Sequence, residues 1–382
     1  MYDSIVIGSG FAGAVMARQL AEEKGQKVLV LDAREHIGGN CYDRLDEHGI
    51  LIHQYGPHIF HTNIERVYEY LSRFTEWYEY RHEVVGNIYG KELPIPFNLN
   101  TLEEVYGDRA PHLEKLLIDN FGQGARVPIL ELMNHEDKEL QEIAQYVYEN
   151  VFLKYTMKQW GKSPKEIDPA VSGRVPVLLS RDNRYFQDKF QGLPLHGYTP
   201  IFEKLLDHKG IELRLGCDAK SVLTIDPEAA EPVLLQGGPF HGNIIFTGAL
   251  DELFDCRFGR LPYRSLRFDF EHLNRKFYQS HGVVNYTVTE DFTRITEFKY
   301  LTGQLDAPDT TIVREYPMPY SGGEGEIPYY AINNSENDGL FEKYRKLVEK
   351  IPHFTLLGRL AEYKYYNIDA IVDRALTVAE QM

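Results

Sequence analysis

The sequence predicts an α/β protein that combines a nucleotide-binding βαβ domain with an inserted helical bundle and an antiparallel β-sheet. Three observations lead to this fold class. A glycine-rich turn joins a strand to a helix within the first 40 residues, apolar residues follow helical spacing through much of 100–160, and four strand-like segments between 266 and 316 have no helices between them. Strands connected in that last way pair antiparallel, whereas parallel strands need long crossover connections.

The amino-terminal turn is the most specific of these features. Residues 2–7 form an apolar strand pattern, residues 8–13 have the sequence GSGFAG, and residues 27–31 form a second strand pattern that ends at Asp32. In such a unit the first glycine makes the tight turn, the second admits a pyrophosphate, and the third lets the helix pack on the strand. The free N–H groups of the helix then face the diphosphate.

Asp32, 19 positions after Gly13, stands where a carboxylate accepts bonds from ribose hydroxyls. The alternative is a glycine-rich turn in an ordinary α/β protein. On the first interpretation, a dinucleotide contacts Gly8, Gly10, Ala12, Gly13 and Asp32.

A second glycine pair indicates which class of dinucleotide cofactor the domain binds. Residues 33–40 have the sequence AREHIGGN, so the chain can turn back along the same ligand directly after Asp32. This pattern resembles flavoprotein oxidases and their relatives, in which the dinucleotide is FAD; without the upstream motif, Gly38 and Gly39 would indicate only a turn. We expect an FAD-binding Rossmann-like domain in which Ala33, Gly39 and Asn40 also contact the cofactor.

Composition and charge exclude several classes of function. Hydrophobic residues make up 43% and charged residues 26% of the chain, which is typical of a soluble globular protein. The net charge of −16 argues against a general nucleic-acid or anionic-membrane surface. Cys41, Cys217 and Cys256 have no metal-ligand spacing, and the amino terminus lacks the basic region of a secretion signal. No apolar stretch reaches the roughly 18 residues that span a bilayer, so we expect a cytoplasmic protein without nucleic-acid or membrane partners.

Two histidines follow in the sequence YGPHIFHTN at residues 55–63. His58 and His61 have no acidic or cysteine cluster beside them, so no metal site is predicted. They indicate either a loop that lies against a flavin ring, with Ile59 between them, or two half-buried structural histidines.

A helical region follows a predicted hairpin at 84–96. Thr101 is a candidate N-cap, and residues 111–118 and 136–155 continue the helical pattern. The end of this helical region carries aromatic rings, a hydroxyl and an amide at spacings of three and four residues. These residues share one helix face, and they are Phe152, Tyr155, Thr156, Gln159 and Trp160. Such a mixture suits a nucleobase or a sugar; the alternative is a core-facing stripe.

The segment after this helix predicts a mobile lid. Glycines and prolines punctuate residues 161–176, and Arg174 lies near the end of the segment. A loop that carries one arginine beside an aromatic face suggests closure over an anionic ligand. A solvated surface arginine is the alternative.

The rest of the chain completes three predicted domains. A helix is predicted at 199–206 and another at 367–379, where Asn367 is a candidate cap; the N-terminus of this last helix would stabilise negative charge on a reduced flavin, unless the helix merely docks on the sheet. The predicted strands are 211–215, 243–247 and 353–357 in the first sheet, and 266–270, 282–288, 293–300 and 311–316 in the antiparallel sheet. The predicted domains are an FAD-binding domain at 1–80, 190–260 and 345–382, a helical domain at 100–170 with a lid to about 180, and an antiparallel-sheet substrate domain at 81–99 and 261–344.

Several motifs together carry a family resemblance: GSGFAG, HIGGN, YGPHIFHTN, YTMKQWG, RVPV, DNRYF, FTRI, PYY and GRLAEYKYY. From end to end the chain resembles UDP-galactopyranose mutase of the bacterial type. The resemblance implies an isomerase that interconverts UDP-α-D-galactopyranose and UDP-α-D-galactofuranose without net redox change. It further implies that the N5 atom of reduced FAD is the nucleophile at the anomeric carbon, and that the galactofuranose supplies cell-surface polysaccharide.

The resemblance also implies roles for individual residues. Arg174 and Arg294 would neutralise the substrate diphosphate, and His61 would be a third catalytic residue beside the flavin. Further substrate contacts would come from His82, Phe152, Tyr155, Thr156, Trp160, Tyr185, Asn285, Tyr329, Tyr330 and Tyr365. Beyond the glycine turns, FAD would contact His58, Ile59, Arg359, Asn367 and Val372. The chain departs from the family pattern at Val151, His82 and Asn367.

Two other functions stay open on the sequence alone. One is an FAD-dependent oxidoreductase of the amine-oxidase type, and the other is a non-catalytic UDP-sugar-binding flavoprotein. An oxidase would need an apolar substrate tunnel, whereas arginines and tyrosines favour a nucleotide sugar. For the mutase we expect an electron donor, such as NADPH or a reductase, and a homo-oligomer that is a dimer or larger.

Overall fold

A computed structural model describes residues 1–160 and 176–382, except for the side chains of residues 159 and 160. The predicted lid with Arg174, and the side chain of Trp160, therefore lie outside the described residues. The chain divides into two compact units. Unit 1 comprises Met1–Glu79, Asp188–Ser265 and Pro319–Met382, and unit 2 comprises Tyr80–Gln187 and Leu266–Met318.

The strands of the described residues are β1 Ser4–Ile7, β2 Val28–Leu31, β3 Asp43–Leu45, β4 Leu51–His53, β5 Phe60–Thr62, β6 Trp77–Tyr78, β7 Val84–Ile88, β8 Lys91–Ile95, β9 Arg126–Pro128, β10 Pro176–Leu178, β11 Phe190–Pro194, β12 Ile211–Arg214, β13 Leu223–Ile225, β14 Val233–Leu235, β15 Gly238–Pro239, β16 Asn243–Phe246, β17 Tyr263–Leu273, β18 Val283–Tyr286, β19 Arg294–Glu297, β20 Thr310–Pro319, β21 Tyr330–Ala331 and β22 Phe354–Leu356. The α-helices are α1 Phe11–Glu22, α2 Glu65–Ser72, α3 Leu99–Tyr106, α4 Ala110–Phe121, α5 Ile129–Met133, α6 Lys138–Val147, α7 Lys154–Trp160, α8 Thr199–Leu206, α9 Leu250–Leu253, α10 Phe298–Thr302, α11 Ser335–Val348 and α12 Ile368–Gln381. A π-helical segment, Tyr148–Leu153, joins α6 to α7.

Unit 1 is built on a parallel sheet with the strand order β12-β2-β1-β16-β22. Its central strands, SIVI and VLVL, are buried throughout, as expected for strands covered on both faces. Helix α1 packs against α8 and α12. An apolar cluster that includes Ile5, Leu29 and Ile244 extends to Leu250 of α9 and Leu347 of α11. The predicted α/β class with a Rossmann-like sheet is confirmed.

Unit 2 contains strands in the order β17-β20-β19-β18-β7-β8. The pairs β7–β8, β18–β19 and β19–β20 are antiparallel, whereas β7 and β18 run parallel because nearly 200 residues of chain separate them and allow a crossover. One buried cluster joins sheet residues such as Val84 and Val283 to helix residues such as Leu102 and Leu117. The helical region and the antiparallel sheet, which the sequence analysis assigned to separate domains, thus share one core.

Three local predictions were wrong. The strand predicted at 293–300 ends at Glu297 and continues as helix α10, because the buried ammonium of Lys299 turns inward to donate hydrogen bonds to the carbonyls of Lys276, Ala307 and Asp309. Asn98, not Thr101, caps α3, and Thr101 completes its capping box. Asn367 occupies the N-cap position of α12, but its side chain makes no cap hydrogen bond; in the first turn the Asp369 carboxylate accepts from the Ala370 N–H.

Within 1–160 and 176–382, no helix is both long and apolar enough to cross a membrane.

We predict that Gly13→Ala lowers the free energy of unfolding. A Cβ at Gly13 would lie 1.9 Å from the Gly8 carbonyl oxygen and 3.0 Å from Cγ1 of Val6, so α1 must move away from β1. Such overpacking costs about 1–3 kcal/mol or more. Gly339→Ala is the matched control, since Gly339 lies in α11 with open space around it and should gain about 0.5–1 kcal/mol. Equal urea midpoints for the two variants would contradict the close approach.

Candidate active site

Two glycine turns of unit 1 lie back to back. Gly10 precedes α1, and the chain after β2 returns so that the Gly38 N–H donates to the Ser9 carbonyl at 3.1 Å. A Cβ on Gly39 would lie 3.1 Å from the Gly10 Cα, and Gly39 has a positive φ of 56°. The first turn of α1 has neither a side-chain cap nor an acidic residue. Close backbone and uncapped N–H groups fit the diphosphate of a dinucleotide.

Asp32 holds this cradle together. Its Oδ2 accepts hydrogen bonds from the Ser9 N–H at 2.8 Å and the Ser9 hydroxyl at 2.5 Å, and its Oδ1 accepts from the Arg34 N–H at 2.9 Å. A ribose would have to share this carboxylate with Ser9. Asn40 accepts from Nη2 of Arg34 at 2.9 Å, and Ala33 is exposed beside them.

The histidine loop lies near the start of α1. The Tyr198 hydroxyl donates to the His58 carbonyl at 3.2 Å, and its ring meets that of Phe11, the first residue of α1, at 6.1 Å. Ile59 is half-buried. Nδ1 of His61 lies 2.9 Å from Oδ2 of Asp188. This carboxylate was not predicted, because Asp188 is separated from His61 by 127 positions and only the pairing of β5 with β11 brings them together.

The carboxyl-terminal part of unit 1 contains an arginine that lies against tyrosine rings. A Cβ on Gly358 would lie 3.3 Å from Cβ of Ala12, so the following Arg359 lies near α1. The Arg359 guanidinium lies over the rings of Tyr330 and Tyr365, at 5.4 and 4.9 Å, and its Nη1 donates to the Tyr329 carbonyl at 3.4 Å. Tyr329 is buried and Tyr365 is half-exposed. Asn367 stands directly before α12, whereas Val372 is fully buried within that helix.

In unit 2, polar residues form a row across one face of the sheet. Asn285, Arg294 and Glu315 stand side by side on β18, β19 and β20, so their side chains point to the same face. Nε of Arg294 lies 2.6 Å from Oε1 of Glu315, which is 1% exposed. Across the described part of the chain, Oδ1 of Asn285 is buried without a hydrogen-bond partner. A guanidinium beside an unpaired amide oxygen can bind an anion that carries hydroxyl groups.

His82 and Tyr185 lie beside this row. His82 is 4% exposed; its ring lies 5.8 Å from those of Tyr185 and Phe186, and its carbonyl accepts from the Tyr185 N–H. Desolvation raises the pKa of the Tyr185 hydroxyl, and the nearby charge of Arg294 opposes that shift.

The predicted aromatic face belongs to the same unit. Phe152 and Thr156 are buried, and Tyr155 is half-buried. Lys158 donates to the Tyr286 carbonyl at 2.8 Å and so fastens α7 to β18. Arg174 and the side chain of Trp160 fall outside the described residues, so their predicted roles stay predictions.

Glu315 is a residue that sequence reasoning missed. The sequence did contain an indication, since Arg314 and Glu315 are adjacent in a strand and successive residues of a strand point to opposite faces. One of these two charges had to face the apolar side of the sheet.

Comparison with known proteins identifies the family of the chain. A family model described as UDP-galactopyranose mutase matches residues 150–365, and one described as an NAD(P)-binding Rossmann-like domain matches residues 6–74. The UDP-galactopyranose mutase of Mycoplasma pneumoniae is 36% identical over 388 residues, which cover 100% of this chain and 96% of that protein. The chain belongs to the UDP-galactopyranose mutase family.

The family includes relatives named for more than one nucleotide sugar. The dTDP-fucopyranose mutase of Escherichia coli is 35% identical over 381 residues, covering 98% of this chain and 97% of that protein. A solved structure of reduced UDP-galactopyranose mutase matches 100% of this chain and 93% of that chain with a TM-score of 0.74. At 15% identity, that likeness shows the shared fold.

We predict that Arg294→Met makes stability strongly dependent on pH. Desolvation raises the pKa of Glu315, and Arg294 opposes the rise, so removing Arg294 raises that pKa further. A raised pKa in the folded state favours the protonated carboxyl. The contribution of Glu315 to the free energy of unfolding is therefore fully present below its pKa in the unfolded chain, about 4.5. It is lost as pH rises through its pKa in the folded protein. Near neutral pH the loss should reach about 3–5 kcal/mol.

Urea denaturation of the variant from pH 4 to 8 measures this slope. The double variant Arg294→Met with Glu315→Gln lacks the Glu315 carboxyl, so its stability should depend much less on pH than that of the single variant. A single variant with the pH profile of the wild type would contradict the pairing.

Proposed function

We propose that the protein is a UDP-galactopyranose mutase that interconverts UDP-α-D-galactopyranose and UDP-α-D-galactofuranose with reduced FAD. The observation that carries this proposal is the family relationship along the whole chain, with Arg294 of the FTRI motif standing in a polar row. The UDP-sugar follows from the name of the Mycoplasma pneumoniae relative. The electron donor and a homo-oligomeric assembly stay predictions.

The cofactor end of the proposal is supported by the glycine cradle. Gly8, Gly10, Ala12, Gly13 and Gly39 would surround the diphosphate, while Asp32, Ala33 and Asn40 would contact the adenosine. His58, Ile59 and Arg359 would lie along the flavin, and the N-terminus of α12 after Asn367 would favour negative charge. When bound and reduced, the flavin supplies a nucleophilic N5 atom for the anomeric carbon without net redox change.

The substrate end rests on unit 2. Arg294, fixed by Glu315, would bind the diphosphate, and Asn285 would contact sugar hydroxyls through its unpaired oxygen. Phe152, Tyr155, Thr156 and Trp160 would hold the base, with His82 and Tyr185 beside them. Arg174 would bring a second positive charge.

These residues would act mainly through electrostatics. A guanidinium held in place stabilises the negative charge that grows on a departing diphosphate, and it does so without reorganising at the moment of reaction. Retaining the UDP also keeps it close for its return to the sugar. Asp188 fixes the orientation of the His61 ring, because its Oδ2 lies 2.9 Å from Nδ1 of that ring.

The relative named dTDP-fucopyranose mutase supports a second candidate substrate. It matches this chain almost as well and over the same length. Compared with UDP-galactose, a dTDP-6-deoxysugar would lack the 6-hydroxyl of the sugar and the 2′-hydroxyl of the ribose, and would carry a thymine methyl group. The residues around the base and the sugar decide between the two substrates, so both belong in the first assay.

We predict that the purified holoprotein converts UDP-galactofuranose to UDP-galactopyranose only after reduction with dithionite. Chromatography of the sugar nucleotides measures the conversion, with dTDP-fucofuranose assayed in parallel. Preference for the dTDP-sugar would keep the reaction class and change the substrate. Absence of conversion of both substrates, with reduced FAD bound, would contradict the proposal.

We predict that Arg294→Ala lowers kcat roughly 30- to 1,000-fold. This factor corresponds to a loss of about 2–4 kcal/mol of transition-state stabilisation. Arg267→Ala is the control, because Arg267 is an exposed arginine of the same sheet that pairs with Asp269. If the kcat of Arg294→Ala equals that of the control, Arg294 does not stabilise the transition state.

A further inference from the structure

Arg264 is a buried cation of unit 1 that has no counter-ion among the residues described by the structure. It is the second residue of β17 and is 8% exposed. In the described part of the chain, its Nε is buried without a hydrogen-bond partner. Burial alone lowers the pKa of its guanidinium, and no neighbouring carboxylate opposes the shift. Within residues 1–160 and 176–382, this side chain therefore carries the cost of burial with no compensating charge.

Two other cations of the described residues, one buried and one half-buried, have partners. The Lys299 ammonium donates to three carbonyl oxygens, and Arg294 pairs with Glu315. Removing a charge from water without a partner costs several kcal/mol. A buried polar group that the folded chain leaves unpaired is a place where an unseen ligand or ion belongs.

The surroundings of Arg264 identify the class of ligand. Arg264 pairs with Tyr330 of β21, so the two side chains point to the same face. The Tyr330 ring stacks on that of Tyr365 at 6.0 Å and lies 5.4 Å from the Arg359 guanidinium. Tyr263, the preceding residue, faces the opposite side and is buried in the apolar core. The face thus carries two guanidinium groups and two phenol rings.

We propose that Arg264 binds an anionic group of a ligand on this tyrosine-lined face of unit 1. Two sources share the required chemistry, namely the diphosphate of the nucleotide sugar and the anionic ring of the reduced flavin. The identity of the ligand rests on the proposed function, whereas the need for an anion rests on the burial of Arg264. Tyrosine hydroxyls complete the site, because they donate to an anion without adding charge.

The variant Arg264→Gln in the flavin-loaded protein separates the two sources. If the anion is the diphosphate, the Kd for UDP rises at least tenfold. If the anion is the reduced flavin, the affinity for reduced over oxidised flavin falls at least tenfold, which moves the two-electron midpoint potential about 30 mV more negative. Calorimetry measures the first quantity and spectrophotometric redox titration the second. Inorganic pyrophosphate, titrated in the same way, tests the anion requirement without a nucleoside.

Arg260→Gln is the matched control. Arg260 lies four positions earlier in unit 1, is exposed, and pairs with Glu252 at 3.1 Å, so its replacement should leave all three measurements unchanged. Arg264→Lys keeps the charge and should recover part of the lost affinity. Arg264→Met should fold at least as well as the wild type without ligand, because it removes an uncompensated buried charge.

Unchanged UDP affinity, pyrophosphate affinity and potential in Arg264→Gln would overturn the inference. Failure of the wild type to bind FAD or UDP would instead count against the proposed function. In that case loss of pyrophosphate binding in Arg264→Gln would still support the anion site, and retention would refute it.

Discussion

The geometry of unit 1 depends on one close approach of backbone to backbone. The Gly10 and Gly39 turns meet where a single Cβ would fill the space between them, and Gly13 allows α1 to lie directly on Gly8. Ser9 and Asp32 then fasten the two turns to each other by hydrogen bonds. The approach keeps side chains away from the end of α1, and that empty end is what a diphosphate needs. The stability of the sheet and the capacity to bind a dinucleotide therefore rest on the same glycines.

Unit 2 has charged side chains on the buried face of its sheet. Val84 and Val283 cover part of that side with apolar surface, while Asn285, Arg294 and Glu315 cross it as a polar row. The ion pair offsets much of the desolvation of its two members. It also fixes the direction of the Arg294 guanidinium, because Glu315 is 1% exposed and held in the core. Rigid charge of this kind binds an anion with little loss of conformational entropy.

The sequence predicted well where local chemistry decides the structure, as in the turn at Gly8, the hairpin at 84–96 and the helix at 199–206. The prediction from sequence failed where contacts between residues far apart in the chain determine the local structure. The strand predicted at 293–300 ends early, where Lys299 donates hydrogen bonds to carbonyls of two other loops, at Lys276 and at Ala307 and Asp309. Asp188 and Glu315 were missed because their partners are distant in sequence. The unpaired state of Arg264 is visible only once the absence of a nearby carboxylate in the described fold is known.

The π-helical segment Tyr148–Leu153 has an evolutionary consequence. A π-turn is equivalent to one residue inserted into an α-helix, and each residue of an α-helix turns the following chain by about 100°. Here the insertion sets the rotation of α7 independently of α6, which is anchored by Ile143 and Val147 in the core. Loss of a single residue from this segment would carry Tyr155 and Thr156 around to another side of the helix while leaving the core of α6 intact. The direction in which the side chains of α7 point is thus set by the length of one turn.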